Sequence, residues 1–337
     1  MLVSAFIRQQ PDRLAATLRD AAGILAGWNP GPHDGLMLVG SGSSMNALLA
    51  TRPPGHDVQV LGPGAFLQAL RTGLGTRPLV VVLSQSGHST TSVAAAEAAM
   101  AAGLPTLLIT AEAASPIALL PLPRLLLPIG PEPIGPKTKG FTASLGALIA
   151  LVAHRAGRAL PPFDATLLAA VVGGTAAPAA ALAATLDAAD YLMVTGQGRL
   201  FGIALEASLK IAEIAGLPTT AFEPEEALHG RLHGMTSRSL GLLIAGDDAA
   251  REEAARIATA MAGRGVGIRI LNLTGRATAF DWCEGVAWPA APFDLAAAII
   301  PFQWLAVALA ERRGMAPEAM RYPGLSADLS IKLAPVP

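Results

Sequence analysis

Short unbroken apolar runs alternate along this chain with longer stretches in which alanine, leucine and charged residues recur at helical spacing. The runs fall within 36–44 (LMLVGSGSS), 79–85 (LVVVLSQ), 98–110 (AAMAAGLPTLLIT), 191–199 (YLMVTGQGR), 239–248 (SLGLLIAGDD) and 260–273 (AMAGRGVGIRILNL). They lack the in–out alternation of a half-solvated sheet, so they predict strands buried on both faces. Strands separated by helical patterns predict an α/β fold built on parallel sheets. The first twenty residues predict an amphipathic helix. The most apolar tract, 287–310, is broken by Pro289, Pro292, Asp294, Pro301 and Gln303, which predicts a buried core helix rather than a membrane span.

The pattern repeats. Gly40 and Gly42 recur as Gly196 and Gly198, 156 residues later, and the Met-Ala segments at Met100 and Met261 are 161 apart. Each half runs strand, glycine turn, strand, helix, strand, as a duplication would. The prolines and small residues of 156–164 predict a linker, and 164–189 a long apolar helix. The expected organisation is an N-terminal helix (1–22), a first domain (23–160), a connecting helix (161–190) and a second domain (191–337).

Composition narrows the function. The 337 residues are 52% hydrophobic and 15% charged, with a net charge of −1, so no basic surface points to nucleic acid or an acidic membrane. Cys283 is the single cysteine, which excludes an intrachain disulfide. The N-terminus lacks the design of a signal peptide, and the expectation is a cytoplasmic protein.

Three places carry candidate chemistry. At 84–91, SQSGHSTT follows a strand and opens a helix. Unsatisfied helix N–H groups and small hydroxyls there suit an anion, and with no arginine present a phosphate would be held by directed hydrogen bonds. An ordinary helix cap is the plain alternative. In the helix 201–216, Glu206, Lys210 and Glu213 lie at i, i+4 and i+7, on one face. A solvated ion-pair stripe would look the same. Against it, the chain has only four lysines and charge is scarce, and a carboxylate beside an ammonium can be tuned for proton transfer. In EEALHGRLHG (225–234), His229 is the candidate proton shuttle. His233 does not extend it into a metal pair, because Gly230 and Gly234 break the helix and no third ligand is evident. The GSGSS turn at 40–44 lacks the third glycine and the acidic partner of a dinucleotide site, so no cofactor is expected.

Together these segments resemble the sugar isomerase (SIS) domain family in its tandem-domain branch. That branch includes the isomerase half of glutamine–fructose-6-phosphate transaminase and the SIS-type glucosamine-6-phosphate deaminases. SQSG (84–87) is similar to the family's phosphate loop, and GSS (42–44) to its first glycine–serine turn. PEPIGPKTKGFT (131–142) is similar to its Thr-Lys segment. ALEASLKIAE (204–213) followed by EEALHG (225–230) resembles its Glu…Lys…Glu helix and Glu-x-x-x-His-Gly motif, and 299–321 its last core helix and following loop.

The resemblance implies two tandem domains, each a flavodoxin-like three-layer sandwich. It implies that Ser44, Ser84, Gln85, Ser86 and Ser89, with Gly135 and Lys139, hold a phosphorylated amino sugar or ketose phosphate. Glu213 would move a proton between C1 and C2, with Lys210 and Glu206 managing the adjacent oxygens and charge. His229 would open the sugar ring from the partner subunit of a homodimer with shared sites. No metal or cofactor is implied. The expected reaction is glucosamine 6-phosphate to fructose 6-phosphate and ammonia. The alternatives are an isomerase or deaminase of another hexosamine or fructosamine phosphate, and a non-catalytic sugar-phosphate-binding protein. The chain departs from the family pattern at Ala327, where a lysine is usual, at Arg231 after His-Gly, and at His88 after SQSG. Residue 2 is Leu, so no N-terminal cysteine nucleophile for glutamine hydrolysis is expected.

Overall fold

The computed structural model describes residues 1–333. The chain opens with helix α1 (Leu2–Ala26) and continues through β1 (Leu36–Val39), α2 (Ser43–Thr51), β2 (Val58–Leu61) and α3 (Pro63–Thr72). Then come β3 (Leu79–Leu83), α4 (Thr90–Ala101), β4 (Thr106–Thr110), β5 (Arg124–Leu126) and α5 (Lys139–Arg155). These five strands form one parallel sheet in the order β2-β1-β3-β4-β5. That is the flavodoxin-like order, in which the connections change direction between β1 and β3.

The second half supplies α6 (Ala165–Gly174), α7 (Ala176–Ala184), β6 (Tyr191–Thr195), α8 (Arg199–Ala215), β7 (Thr219–Phe222) and α9 (Pro224–Leu228). It continues with β8 (Ser239–Ala245), α10 (Asp248–Ala262), β9 (Gly267–Asn272), α11 (Asp294–Ala298), α12 (Ile300–Arg312) and α13 (Leu325–Asp328). Its parallel sheet runs β7-β6-β8-β9, the first sheet's order without a fifth strand. Architecturally this is α/β with two parallel sheets flanked by helices.

Burial explains which strands the apolar pattern revealed. Every residue of β1, β3, β4 and β8 is buried. The strands β2, β5 and β7 lie at sheet edges and are partly exposed, so they never form an unbroken apolar run. The tract 287–310 supplies α11 and most of α12, and 89% of the most apolar window in Asp294–Arg312 is buried. The single helix expected over 164–189 is two, α6 and α7, interrupted at Thr175. Pro178 explains the break: its ring would clash with the Gly174 carbonyl of a continuous helix and it has no N–H to donate.

The chain divides into two compact units. One comprises Asp12–Glu132, Lys139–Pro162 and residues 322–333, around the first sheet. The other comprises Met1–Pro11, Pro133–Thr138 and Phe163–Arg321, around the second. Chain order would assign 322–333 to the second domain, but the backbone of 330–333 is hydrogen-bonded to His88 and Thr90 and so groups with the first sheet. Within the first unit α1 and α5 cross closely at Gly146, where a Cβ would lie 2.5 Å from Leu14 Cδ1.

Candidate functional site

In the first-sheet unit the hydroxyl-rich loop begins where the buried strand β3 ends. Ser84 N–H donates to the Ile109 carbonyl, and the Gln85 carbonyl accepts from Ala111 N–H at 2.8 Å, so the loop is pinned to the end of β4. Gly87 makes the turn with φ +68°, and a Cβ there would lie 2.0 Å from Ser115 Oγ. Only glycine fits both constraints. Ser89 caps α4: its Oγ accepts from Ser92 N–H at 3.4 Å and is 3.0 Å from Ser92 Oγ.

Ser44 belongs to the same end of the sheet. It sits in the first turn of α2, after Gly42 with φ +55°. The preceding Gly40 is pressed against Ser44 and the Leu83 carbonyl, where a Cβ would lie 3.0 and 3.2 Å away. The loops after β1 and β3, which carry Ser44 and Ser84–Ser89, therefore flank the point where the connections diverge. Ligands of such sheets bind there, beyond the strand ends.

The start of α5 adds a group that sequence reasoning missed. The Glu132 carboxylate accepts from Lys139 N–H at 3.2 Å and from Gly140 N–H at 3.1 Å, capping α5 through a residue seven positions before it. Its only sequence signal was one acid in the proline-rich PEPIGP stretch. Gln85 packs here too: a Cβ on Gly140 would meet Gln85 Nε2 at 2.6 Å and Glu132 Oε2 at 2.8 Å. Gln85 Oε1 is buried, and no group among the described residues donates to it. Lys139 is buried, and desolvation pulls its ammonium below the ordinary lysine range, with Glu132 acting the other way. Gly135 lies elsewhere: the loop 133–138 groups with the second-sheet unit, and Gly135 lies against Met320, whose Sδ would be 2.5 Å from an added Cβ.

In the second-sheet unit the turn Gly196–Gly198 leads from β6 into α8, which Gly216 ends in the left-handed conformation. The amphipathic spacing predicts one face for Glu206, Lys210 and Glu213, and they form one ionic group. Lys210 Nζ donates to Glu213 Oε2 and lies 3.6 Å from Glu206 Oε1. This is not a solvated stripe. The Lys210 and Glu206 side chains are 1% and 0% exposed, and Glu213 alone keeps an outlet, at 22%. Removing such charges from water costs several kcal/mol per ion, on the order of what their attraction returns, so the group is a poor stabilising device. Two carboxylates sharing one ammonium, with one at the surface of the cluster, is an arrangement suited to moving a proton.

His229 stands apart from that group. It follows α9, its side chain is 74% exposed, and its Nε2 lies 2.9 Å from Glu225 Oε1. Gly230, at φ +118°, then starts a 3₁₀ turn over Arg231–Gly234, which separates His229 from His233. Cys283 is buried, and desolvation, with a smaller contribution from Asp281, pushes its thiol up to about 12. Among the described residues no cluster of three histidine, cysteine or acidic side chains could hold a metal ion.

The stretch 67–154 spans the phosphate-type loop, Glu132 and Lys139, and it matches the family model described as the SIS domain. The isomerizing glutamine–fructose-6-phosphate aminotransferase of Streptococcus pyogenes serotype M18 is 30% identical over 175 residues, covering 47% of this chain and 28% of that protein. The match thus spans less than a third of the curated relative's length. Among solved structures, a candidate phosphosugar isomerase of Clostridium difficile 630 superposes with a TM-score of 0.84 at 18% identity, covering 98% of both chains. The glucosamine-6-phosphate deaminase of Thermotoga maritima superposes with a TM-score of 0.75 at 20% identity, covering 96% of this chain and 98% of that one. At those identities the two structures establish the shared fold.

Proposed function

We propose that this chain is a phosphosugar aldose–ketose isomerase of two tandem SIS domains, and specifically a glucosamine-6-phosphate deaminase. The observation that carries the reading is the buried Glu206–Lys210–Glu213 group, since a protein that only binds a sugar phosphate has no need of a desolvated proton-transfer group. The SIS match over the Ser84–Ser89 loop supports a phosphorylated substrate. Ser44, Ser84, Gln85, Ser86 and Ser89 hold the phosphate end, Lys139 shapes the segment beside Gln85, and the buried Gln85 Oε1 can accept from a sugar hydroxyl.

In the open-chain aldose Glu213 takes the proton from C2, and the electron pair moves toward the C1 carbonyl, whose oxygen gains a proton. Return of a proton to C1 leaves an imine at C2, and water adds to it to give the 2-ketose and ammonia. Lys210 stabilises negative charge on the oxygens during the transfer, and Glu206 holds Lys210 in place. His229 serves ring opening. Its exposure in a single chain suits a role in the site of a second copy, so the functional unit is a homodimer.

The deciding experiment incubates the protein with a panel of hexosamine 6-phosphates and unphosphorylated glucosamine and measures ammonia and ketose. Ammonia from glucosamine 6-phosphate alone, lost in Glu213→Gln, supports the reading. Isomerisation without ammonia would make it an isomerase of another sugar phosphate. Binding without turnover would make it a sensor.

A further inference from the structure

The phosphate loop contains no arginine or lysine, yet the fold brings a cation to it from far along the chain. Residues 330–333 lie antiparallel to the end of the loop. Thr90 N–H donates to the Ile331 carbonyl at 3.2 Å, and Leu333 N–H donates to the His88 carbonyl at 2.8 Å. Thr90 Oγ1 adds a bond to the Ser330 carbonyl at 3.0 Å. The two backbone bonds flank the pair Ser89 and Lys332. Residues so placed form a non-hydrogen-bonded antiparallel pair, whose side chains leave the same face side by side. The Lys332 side chain is thereby set next to that of Ser89, the cap of α4.

A helix N-terminus repels cations, so an ammonium placed there is unfavourable unless an anion joins it. No described carboxylate forms an ion pair with Lys332, which is exposed. His88 fastens the segment. Its Nδ1 lies 3.3 Å from the Leu333 carbonyl and its Nε2 lies 3.3 Å from Glu112 Oε2, so the ring bridges the segment to the loop after β4. The bonds that hold the segment use its backbone, which leaves the Lys332 side chain available to a ligand.

We propose that Lys332 supplies the positive charge that pairs with the substrate phosphate at the Ser84–Ser89 loop, and that His88 is the positioning residue that holds it there. The inference rests on the phosphosugar reading above. It also accounts for how a loop without lysine or arginine pairs with a dianion.

Calorimetric titration with fructose 6-phosphate and with inorganic phosphate tests it, with Ser86→Ala as a control for the loop. Lys332→Met should weaken both ligands about three- to tenfold, the range of an exposed to half-desolvated ion pair, with the difference shrinking at high salt. Lys332→Arg should bind as the unaltered protein does. His88→Ala should lose as much as Lys332→Met, and the double variant no more than either, because both act through one contact. His88→Asn, which keeps a donor for the Leu333 carbonyl, should recover most of the affinity. If Ser86→Ala weakens binding and Lys332→Met does not, the proposal is overturned while the phosphate loop stands. Additive losses in the double variant would overturn the role of His88. If the unaltered protein binds neither ligand, the phosphosugar reading fails and takes this proposal with it.

Discussion

Replacing Lys210 with methionine tests whether α8 holds a charge-compensated group. The change preserves much of the side-chain volume but removes the ammonium that the Glu206 and Glu213 carboxylates share. Glu213 can turn its carboxylate toward water, being 22% exposed, but Glu206 at 0% cannot. The burden therefore falls on the buried Glu206 carboxylate, which loses the nearby ammonium. Breaking a buried ion pair from one side costs about 3–5 kcal/mol. For a unit of this size each kcal/mol moves the melting temperature by roughly 2–4 °C, so Lys210→Met should melt about 6–20 °C lower. The second variant, Glu206→Gln with Lys210→Met, removes the stranded charge and should recover more than half of that loss, since buried pairs are often replaceable by neutral groups at little cost. Because burial without a compensating ammonium disfavours the charged form of a carboxylate, the deficit of the single variant should shrink in acid. Calorimetric melting of the three proteins between neutral and mildly acidic pH reads all of this. A single variant melting within about 2 °C of the parent, or a double variant less stable than the single, would refute the argument.

Three further outcomes are expected. Gly87→Ala should destabilise the first-sheet unit by more than about 1 kcal/mol, the cost of a left-handed residue alone, and weaken sugar-phosphate binding; denaturant unfolding and titration measure the two effects. Cys283, buried with its thiol pushed up to about 12, should react with thiol reagents far more slowly in the native protein than after unfolding, with no rise in native rate through pH 8–9. Because the native thiol keeps its proton above the ordinary thiol range, the site's contribution to stability should fall with rising pH there, and should be absent in Cys283→Ala. Finally, Glu213→Gln and His229→Asn should each reduce turnover about 10²–10⁴-fold, and mixing them with subunit exchange should restore roughly a quarter of the parent activity, as expected for sites shared across a two-fold interface; no recovery despite proven exchange would place His229 in its own chain's site or outside catalysis.

The apolar runs determined the central strands and the α/β class, because β1, β3, β4 and β8 are buried on both faces and their composition has no other explanation. The edge strands β2, β5 and β7 were not legible, since a half-exposed strand of three or four residues carries no distinctive pattern. Helical spacing alone aligned Glu206, Lys210 and Glu213, because i, i+4 and i+7 share a face in any helix. It could not say whether that face meets water, and burial, a property of what packs on α8, turned an ordinary ion-pair stripe into a desolvated group. The loop 84–89 was readable from its hydroxyls and from the glycine that φ +68° demands at Gly87. Glu132 and Lys332 were not. One caps a helix seven residues away and the other pairs with Ser89 across more than two hundred positions, and contacts between distant residues depend on how the chain returns on itself rather than on any local preference.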